Sequence, residues 1–361
     1  MKRIEELINN AINNDNLPGA NYVVVTKNKT IFGSLGNKAL IPEIEKNDID
    51  TIYDIASMSK VISTTSCALK LVENGDIRLF DPVKKYLPEY KHGNVRIYDL
   101  MTHTSGMKPY LPNASSLASK EEVWNKIIEL DLDYEKGSKI LYSCINYIIL
   151  GKIIERVSGM TLAEFAKKEI FDPLEMKDTC YNPKDIIRCA PTEIRKDKVF
   201  DGVLRGRVHD ETAYALGGIS GNAGVFSTVK DISHFIEMIL NDGVYKGKRI
   251  FSKATIDLIY TPQVKETSGV YLVEEFRSIG WIVKGSVSSA GELTSADTIL
   301  HTGFTGTNIW IDRQNQVGFC MLSNRVHPSR DNNATISLRP KLANYIIAHL
   351  DEIKGWEYER S

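Results

Sequence analysis

An excess of charge of either sign is missing from this chain. Across 361 residues, 45 Lys and Arg stand against 46 Asp and Glu, a formal net charge of -1. No local basic cluster changes that, so nothing in the sequence is built to grip nucleic acid or an anionic membrane surface. Long apolar runs are missing too, which leaves no candidate for a bilayer-spanning helix. The opening residues Met1-Lys2-Arg3-Ile4-Glu5-Glu6-Leu7-Ile8 are amphipathic and acidic, unlike the unbroken apolar stretch of a signal peptide, so the chain as given is expected in the cytoplasm. Cysteine is scarce, with Cys67, Cys144, Cys180, Cys189 and Cys320 making an odd number without a C-x-x-C pair. That excludes a disulfide framework and suits a reducing compartment. The histidines form no H-E-x-x-H or comparable cluster, so neither a metal nor a cofactor is expected. Internal repeats, low-complexity tracts and Pro/Ser linkers are also lacking.

What is there is the composition of an ordinary globular protein, 42% hydrophobic and 25% charged. The length argues for two closely packed subdomains. Residues 1–14 pattern as a helix with Ile4, Leu7, Ile8 and Ile12 on one side, and Pro18-Gly19 breaks it. Residues 21–26 and 30–33 then read as two strands about a turn. From Ser57 to about Val225 the pattern is mainly helical. One apolar helix at 147–157 is stopped by Gly159, and another at 161–171 opens on a Thr161 cap with Glu164 at N3. Short helices are expected at 230–240 and 253–259, strands at 278–283, 307–311 and 317–322, and a last helix at 337–353. The expected fold is therefore α+β. It has one antiparallel sheet built from both termini (1–56 and 225–361) and flanked by helices, a mainly helical subdomain inserted at 57–224, and an active site between them.

The densest chemistry lies at Ser57-Met58-Ser59-Lys60. It opens a helix-like pattern in which Val61, Ile62, Ala68, Leu69 and Val72 make an apolar stripe ended by Gly75. A helix beginning at Ser57 puts that hydroxyl among unpaired N–H groups, with Lys60 one turn on along the same face. A serine hydroxyl attacks only when a base takes its proton, and Lys60 serves if partial burial and a nearby cation lower its pKa. A second stretch, Tyr142-Ser143-Cys144-Ile145-Asn146-Tyr147, enters an apolar helix. Beside a lysine, Tyr142 shares its proton and becomes a second candidate base and a donor to the leaving group. A third, His301-Thr302-Gly303-Phe304-Thr305-Gly306, is placed at the start of a strand. Its glycines leave room for a substrate along the edge, and its N–H groups can join that of Ser57 around an oxyanion. The glycine-rich residues 216–224 permit close backbone approach without saying to what.

In these stretches the chain resembles the serine β-lactamase and penicillin-binding-protein-like hydrolases, most closely the class C branch with its D,D-peptidases and esterases. Ser57-x-x-Lys60 matches the nucleophile motif, Tyr142-Ser143-Cys144 the Y-x-N motif and His301-Thr302-Gly303 the K-T-G motif, in the family's order. Leu100-Met101-Thr102-His103-Thr104-Ser105-Gly106 resembles the family's L-x-T-H-T-S-G stretch. The resemblance, running from Asp54 to Asn324, implies a serine hydrolase forming an acyl-enzyme on a small-molecule substrate: a β-lactam, a D-Ala-type peptide or a small ester. In that scheme Ser57 attacks, Lys60 and Tyr142 move protons, and the N–H groups of Ser57 and Phe304 form the oxyanion hole. His301, Thr302, Gly303, Cys144 and Asn146 contact substrate.

Two positions depart from the family pattern. Cys144 stands where the family usually has Asn or Asp, which removes an amide that would touch substrate and leaves Asn146 as its candidate substitute. His301 replaces Lys; with an ordinary pKa near ~6.5 it is expected to be mostly uncharged at neutral pH and to gain a carboxylate-binding charge as pH falls. His103 is read as holding its own turn and Cys144 as an inert thiol. His209, Asp210, Asn324 and Arg325 stay open between pocket wall and loop pairing. The rival from another class is a catalytically weak sensor that binds penicillin or wall fragments. Nothing in the sequence speaks to the oligomeric state.

Overall fold

The apolar run of residues 20–25 becomes the middle of a sheet. In the computed structural model, which describes residues 2–117, 119–270 and 272–355, strand β1 (Gly19–Thr26) is buried along its whole length. Its neighbours in the chain are β2 (Thr30–Ala39) and the short β3 (Glu45–Lys46). Six more strands come from the last third: β4 (Val264–Ser268), β5 (Val273–Arg277), β6 (Ile282–Val283), β7 (Thr298–Thr302), β8 (Asn308–Asp312) and β9 (Val317–Ser323). The sheet order is β4-β5-β6-β7-β8-β9-β1-β2-β3, antiparallel throughout. The register Val23↔Cys320 joins the first strand to the last, so the antiparallel sheet built from both termini is borne out.

Alternation along these central strands feeds two cores, as period-2 side chains must. Ala20, Tyr22, Val24, Trp310, Phe319 and Met321 face a core closed by helix α1 (Lys2–Asn14) and a late helix, Ala334–Ala348. Val23, Val25, Ile309, Ile311, Cys320 and Leu322 face the other core, shared with the helical stretches. There the chain runs through α2 (Ser66–Glu73), α3 (Cys144–Ser158) and α4 (Val229–Leu240), and the late helix is α5. Among the described residues no helix is long and apolar enough to cross a membrane.

Three local expectations are corrected. Of residues 278–283 only Ile282–Val283 is a strand, because the N–H of Ser278 closes a turn on the Trp281 carbonyl at 3.0 Å. His301 lies at the end of β7 rather than at a strand start, and the glycine turn follows it. The segment after Ser57 does not begin as an α-helix. A 3-10 turn (Ala56–Met58) leads into a wider π turn (Lys60–Thr65) before α2 starts. The Ser66 hydroxyl, donating five residues back to the Val61 carbonyl at 3.0 Å, props that wider turn open.

Candidate active site

A small three-stranded sheet carries the chain into the site. Tyr53 and Asp54 pair with Ser227 and Phe226, and the N–H of Ile55 reaches the Val225 carbonyl at 3.1 Å. Ala56 then turns with φ +47°, a left-handed conformation that costs a non-glycine residue on the order of 1–3 kcal/mol. The buried Asp54 carboxylate holds this turn, accepting the N–H of Ala56 at 2.8 Å and of His209 at 2.7 Å. Burial pushes Asp54 up, and those two N–H groups pull against it. Ser57 emerges next, part-exposed.

Lys60 is fully buried, and its Nζ meets three acceptors: Ser57 Oγ at 3.2 Å, the Asn222 carbonyl at 2.8 Å and Cys144 Sγ at 3.5 Å. Three donors and three acceptors describe an ammonium. Burial pulls its pKa down, while the charges that Cys144 and Tyr142 would carry if ionised, the hydrogen bond to Tyr142 and the charge of Asp210 push it up, and the balance lies above the ordinary value. The condition under which Lys60 alone would be the base, a lowered pKa, is not met. Asn222 reaches Lys60 because the glycine-rich stretch packs tightly. A Cβ on Gly221 would stand 1.9 Å from the Tyr147 carbonyl, and the Gly221 carbonyl accepts the Thr64 hydroxyl at 2.7 Å.

Tyr142 lies with its ring 4.9 Å from Lys60 Nζ. Its hydroxyl sits beside Lys60 and Ser57, buried and without a closed hydrogen bond. Burial raises it above the usual phenol range, partly offset by the lysine charge. His103 brackets this residue: its carbonyl accepts the N–H of Leu141 at 2.9 Å and its Nδ1 the N–H of Ser143 at 3.1 Å. The ring at 103 thus positions Tyr142 as well as its own turn. Across the site His301 donates Nδ1–H to the Thr302 carbonyl at 2.9 Å, which leaves Nε2 a buried, unpaired acceptor. Burial, Lys60 and Arg277 lower His301 to about 3. The expected gain of charge at His301 on mild acidification is corrected: this imidazole stays neutral.

The strand end beyond His301 is stitched to the nucleophile turn. Thr305 and Thr307 hydroxyls donate to the carbonyls of Asp54 at 2.8 Å and Ile55 at 3.1 Å. Gly303 lies so near that a Cβ there would stand 2.6 Å from the Ile55 carbonyl. Among the described residues, the N–H of Phe304 donates to nothing. Phe304 is half exposed, between the His209 ring at 5.5 Å and the Arg325 guanidinium at 4.8 Å.

Ser57, Lys60, Tyr142, Cys144, His301, Thr302, Gly303 and Phe304 are thus gathered around the turn that carries Ser57. Asn146 is not. It is fully buried, accepting the Ser105 hydroxyl at 2.5 Å and lying 3.4 Å from His103 Nδ1, so its amide does not replace the one missing at Cys144. Cys144 is a neutral thiol raised by burial. Asn324 serves loop pairing, donating to the carbonyls of Lys38 and Pro191. His209 pairs with Glu193 at 3.0 Å, and Asp210 caps the helix at Glu211–Ala215. The sequence reading missed Asp54 and Asn222. It also missed Arg277, whose guanidinium lies 5.7 Å from the Tyr142 ring with a buried, unpartnered Nη1, and Arg339, which holds the carbonyls of Gly303 and Thr307.

A part-exposed serine against a buried lysine, with a phenol beside them and the free N–H of Phe304 on the neighbouring turn, is the working surface of a serine hydrolase. The profile described as Beta-lactamase matches residues 4–342, and the chain belongs to that family. It is 30% identical over 374 aligned residues to a protein of Escherichia coli named "Putative D-alanyl-D-alanine carboxypeptidase", covering 91% of this chain and 84% of that one. A class C beta lactamase from Rhodobacter sphaeroides superposes with a TM-score of 0.75 at 20% identity, over 96% of this chain and 100% of the other. The octameric penicillin-binding protein homologue from Pyrococcus abyssi gives 0.71 at 23% identity, over 99% and 78%. At these identities the structural likeness establishes the fold.

Proposed function

We propose that the protein forms an acyl-enzyme on Ser57 and hydrolyses D-alanyl-type peptides whose leaving group carries a carboxylate. The contact that carries this reading is Lys60 Nζ to Ser57 Oγ at 3.2 Å, with the Tyr142 hydroxyl unpaired beside both. The reactive form is the one in which the Tyr142–Lys60 pair has released one proton to solvent, leaving phenolate beside ammonium; Ser57 Oγ attacks the scissile carbonyl carbon while that phenolate takes its proton. The lysine charge supports alkoxide and phenolate character. The oxyanion forms against the N–H groups of Ser57 and Phe304. Collapse breaks the C–N bond as the pair returns the proton to the leaving nitrogen. Water then attacks the ester, giving its proton to the same pair, and the acid leaves as Ser57 recovers its hydrogen.

Arg277 supports the carboxylate end of the proposal. Neutral His301 offers no cation, whereas Arg277, ion-paired with Glu275 through Nε and Nη2, keeps an unpartnered Nη1 on its permanently charged guanidinium beside Tyr142. The carboxypeptidase name of the relatives points the same way. Intact-protein mass spectrometry over time, with a fluorophosphonate, a penicillin and an acyl-D-Ala-D-Ala peptide, tests the chemistry. An adduct absent from Ser57→Ala is expected, and undiminished labelling of that variant would sink the assignment. A peptide acyl adduct that never turns over would favour the sensor reading. For the substrate, the ratio of kcat/KM for the peptide acid to that for its neutral methyl ester should fall about tenfold or more in Arg277→Met, the loss expected of one charge-assisted hydrogen bond. A ratio unmoved by that change would remove the carboxylate from the proposal.

A further inference from the structure

Two buried arginines at the oxyanion turn have no acid partner. Arg339, on α5, is 9% exposed; its Nη2 donates to the carbonyls of Gly303 at 3.1 Å and Thr307 at 2.9 Å, while its Nε is buried without a partner. Arg325 is 7% exposed, packs its stem on Gly306 in the same turn, and donates Nη1 to the carbonyls of Arg330 and Asn332. Among the described residues neither forms an ion pair, although the adjacent Arg330 has two, with Glu193 and Glu211. Burial and the charge of Arg325 bring Arg339 down to about 10.

Hydroxyls without partners surround this pair. Ser323 Oγ is buried and unpaired against Gly306, where a Cβ would come within 2.9 Å of it. Thr335 Oγ1, also buried and unpaired, lies one turn before Arg339 on α5, in the first turn of a helix of 15 residues whose N-cap, Asn333, gives no side-chain cap. Two positive charges, a free guanidinium N–H and an unpaired hydroxyl thus lie along the Gly303–Thr307 turn, with a second unpaired hydroxyl one helical turn before Arg339; the Arg325 guanidinium also lies 4.8 Å from the Phe304 ring, and among the described residues neither arginine is paired with an acid. Such a cluster is costly to bury empty and is balanced by negative charge.

We infer that a small monovalent anion of chloride size binds between Arg339 and Arg325, with the Ser323 and Thr335 hydroxyls as further donors, and keeps the Gly303–Thr307 turn in its oxyanion-binding shape. This does not depend on which substrate is cleaved. An ordered water, which would also serve the unpaired Asn308 Oδ1, is the competing occupant.

Crystals grown in sodium bromide test occupancy without any variant. An anomalous peak between the two guanidinium groups is expected, and an ordered water only would overturn the inference. In solution, thermal stability and fluorophosphonate labelling of Ser57 are followed as chloride replaces gluconate at constant ionic strength. Both should rise to saturation, with bromide substituting and gluconate inert. Thr335→Val and Ser323→Ala, which remove hydroxyls and little volume, should each raise the chloride needed for half-effect about tenfold, the loss of one hydrogen bond to a charge. A melting temperature indifferent to halide would overturn binding. A halide-dependent melting temperature with constant labelling would overturn the link to the turn. Loss of all labelling with the halide effect on melting intact would count against Ser57 and leave the anion site standing.

Discussion

An ammonium has three N–H bonds, and at Lys60 each meets an acceptor. The charge is therefore part of the resting site, and in the proposed mechanism proton transfer has to involve Tyr142 as well. Lys60→Met and Tyr142→Phe should each slow acylation of Ser57 by about 10²–10⁴-fold, the range for a lost proton-transfer group. The double variant should be little worse than the poorer single one, because both act on one proton. Stopped-flow labelling decides this, and multiplicative losses would separate the two roles. His301 makes a second statement at this scale, about stability. Folded, it titrates at about 3, while an unfolded histidine does so near ~6.5. Between those values the unfolded chain holds more protons, so the stability contributed by the neutral imidazole is complete above pH ~6.5 and is lost as pH falls. At pH 5.5 His301 should account for a loss of roughly 1.4 kcal/mol in urea unfolding relative to pH 7.5. His103, lowered for the same reason of burial, adds to the slope. His301→Asn should give a shallower decline, and an identical one would mean that the ring is hydrated.

Between elements, the close approach of β7's end to the nucleophile turn governs function. Gly303→Ala would drive a methyl into the Ile55 carbonyl and the Thr307 hydroxyl. Labelling of Ser57 should be lost while far-UV circular dichroism stays native, and normal labelling would show that the turn yields easily. Elements were legible in the sequence where burial was simple. β1 and β9 read as continuous apolar runs because both their faces are covered. β4 and β5 escaped notice because Lys265, Glu266, Glu274 and Glu275 sit on the open edge of the sheet, where alternation carries little apolar contrast. The start of the segment after Ser57 was misread as α-helix because neither the Asp54 clasp nor the bond from Ser66 to Val61 leaves a period. Ser57, Lys60, Tyr142 and His301 were legible through motif and order. Asn222, Arg277 and Arg339 come from distant stretches, each needing a partner that only the fold supplies, and Asn146 was misplaced because helix phase, not sequence proximity, points it at Ser105.

For the whole molecule, the two cores on either face of one sheet make α1 a structural lid on the sheet rather than an appendage. Ile8, with no exposed surface, packs in the core beneath α1 and α5. Ile8→Ala should cost about 2–5 kcal/mol in denaturant unfolding without changing kcat, and a cost near zero would mean that α1 docks loosely. The sheet order also dictates a schedule. β1 sits between β2 and β9, and Ser57 is completed by residues some 250 positions later in the chain, where Thr305 meets Asp54 and Thr307 meets Ile55. A ribosome delivers the proposed nucleophile early and its counterparts late, so the emerging chain carries Ser57 and Lys60 before Cys144 and Asn222 fix the lysine and long before the Gly303–Thr307 turn arrives. Pairings across such sequence distances form slowly. Nascent chains stalled before residue 298 should therefore ignore a fluorophosphonate, and those released past α5 should react. If so, the enzyme stays silent until its last strand arrives, and a proposed nucleophile at Ser57 would be kept from spending itself on esters during synthesis.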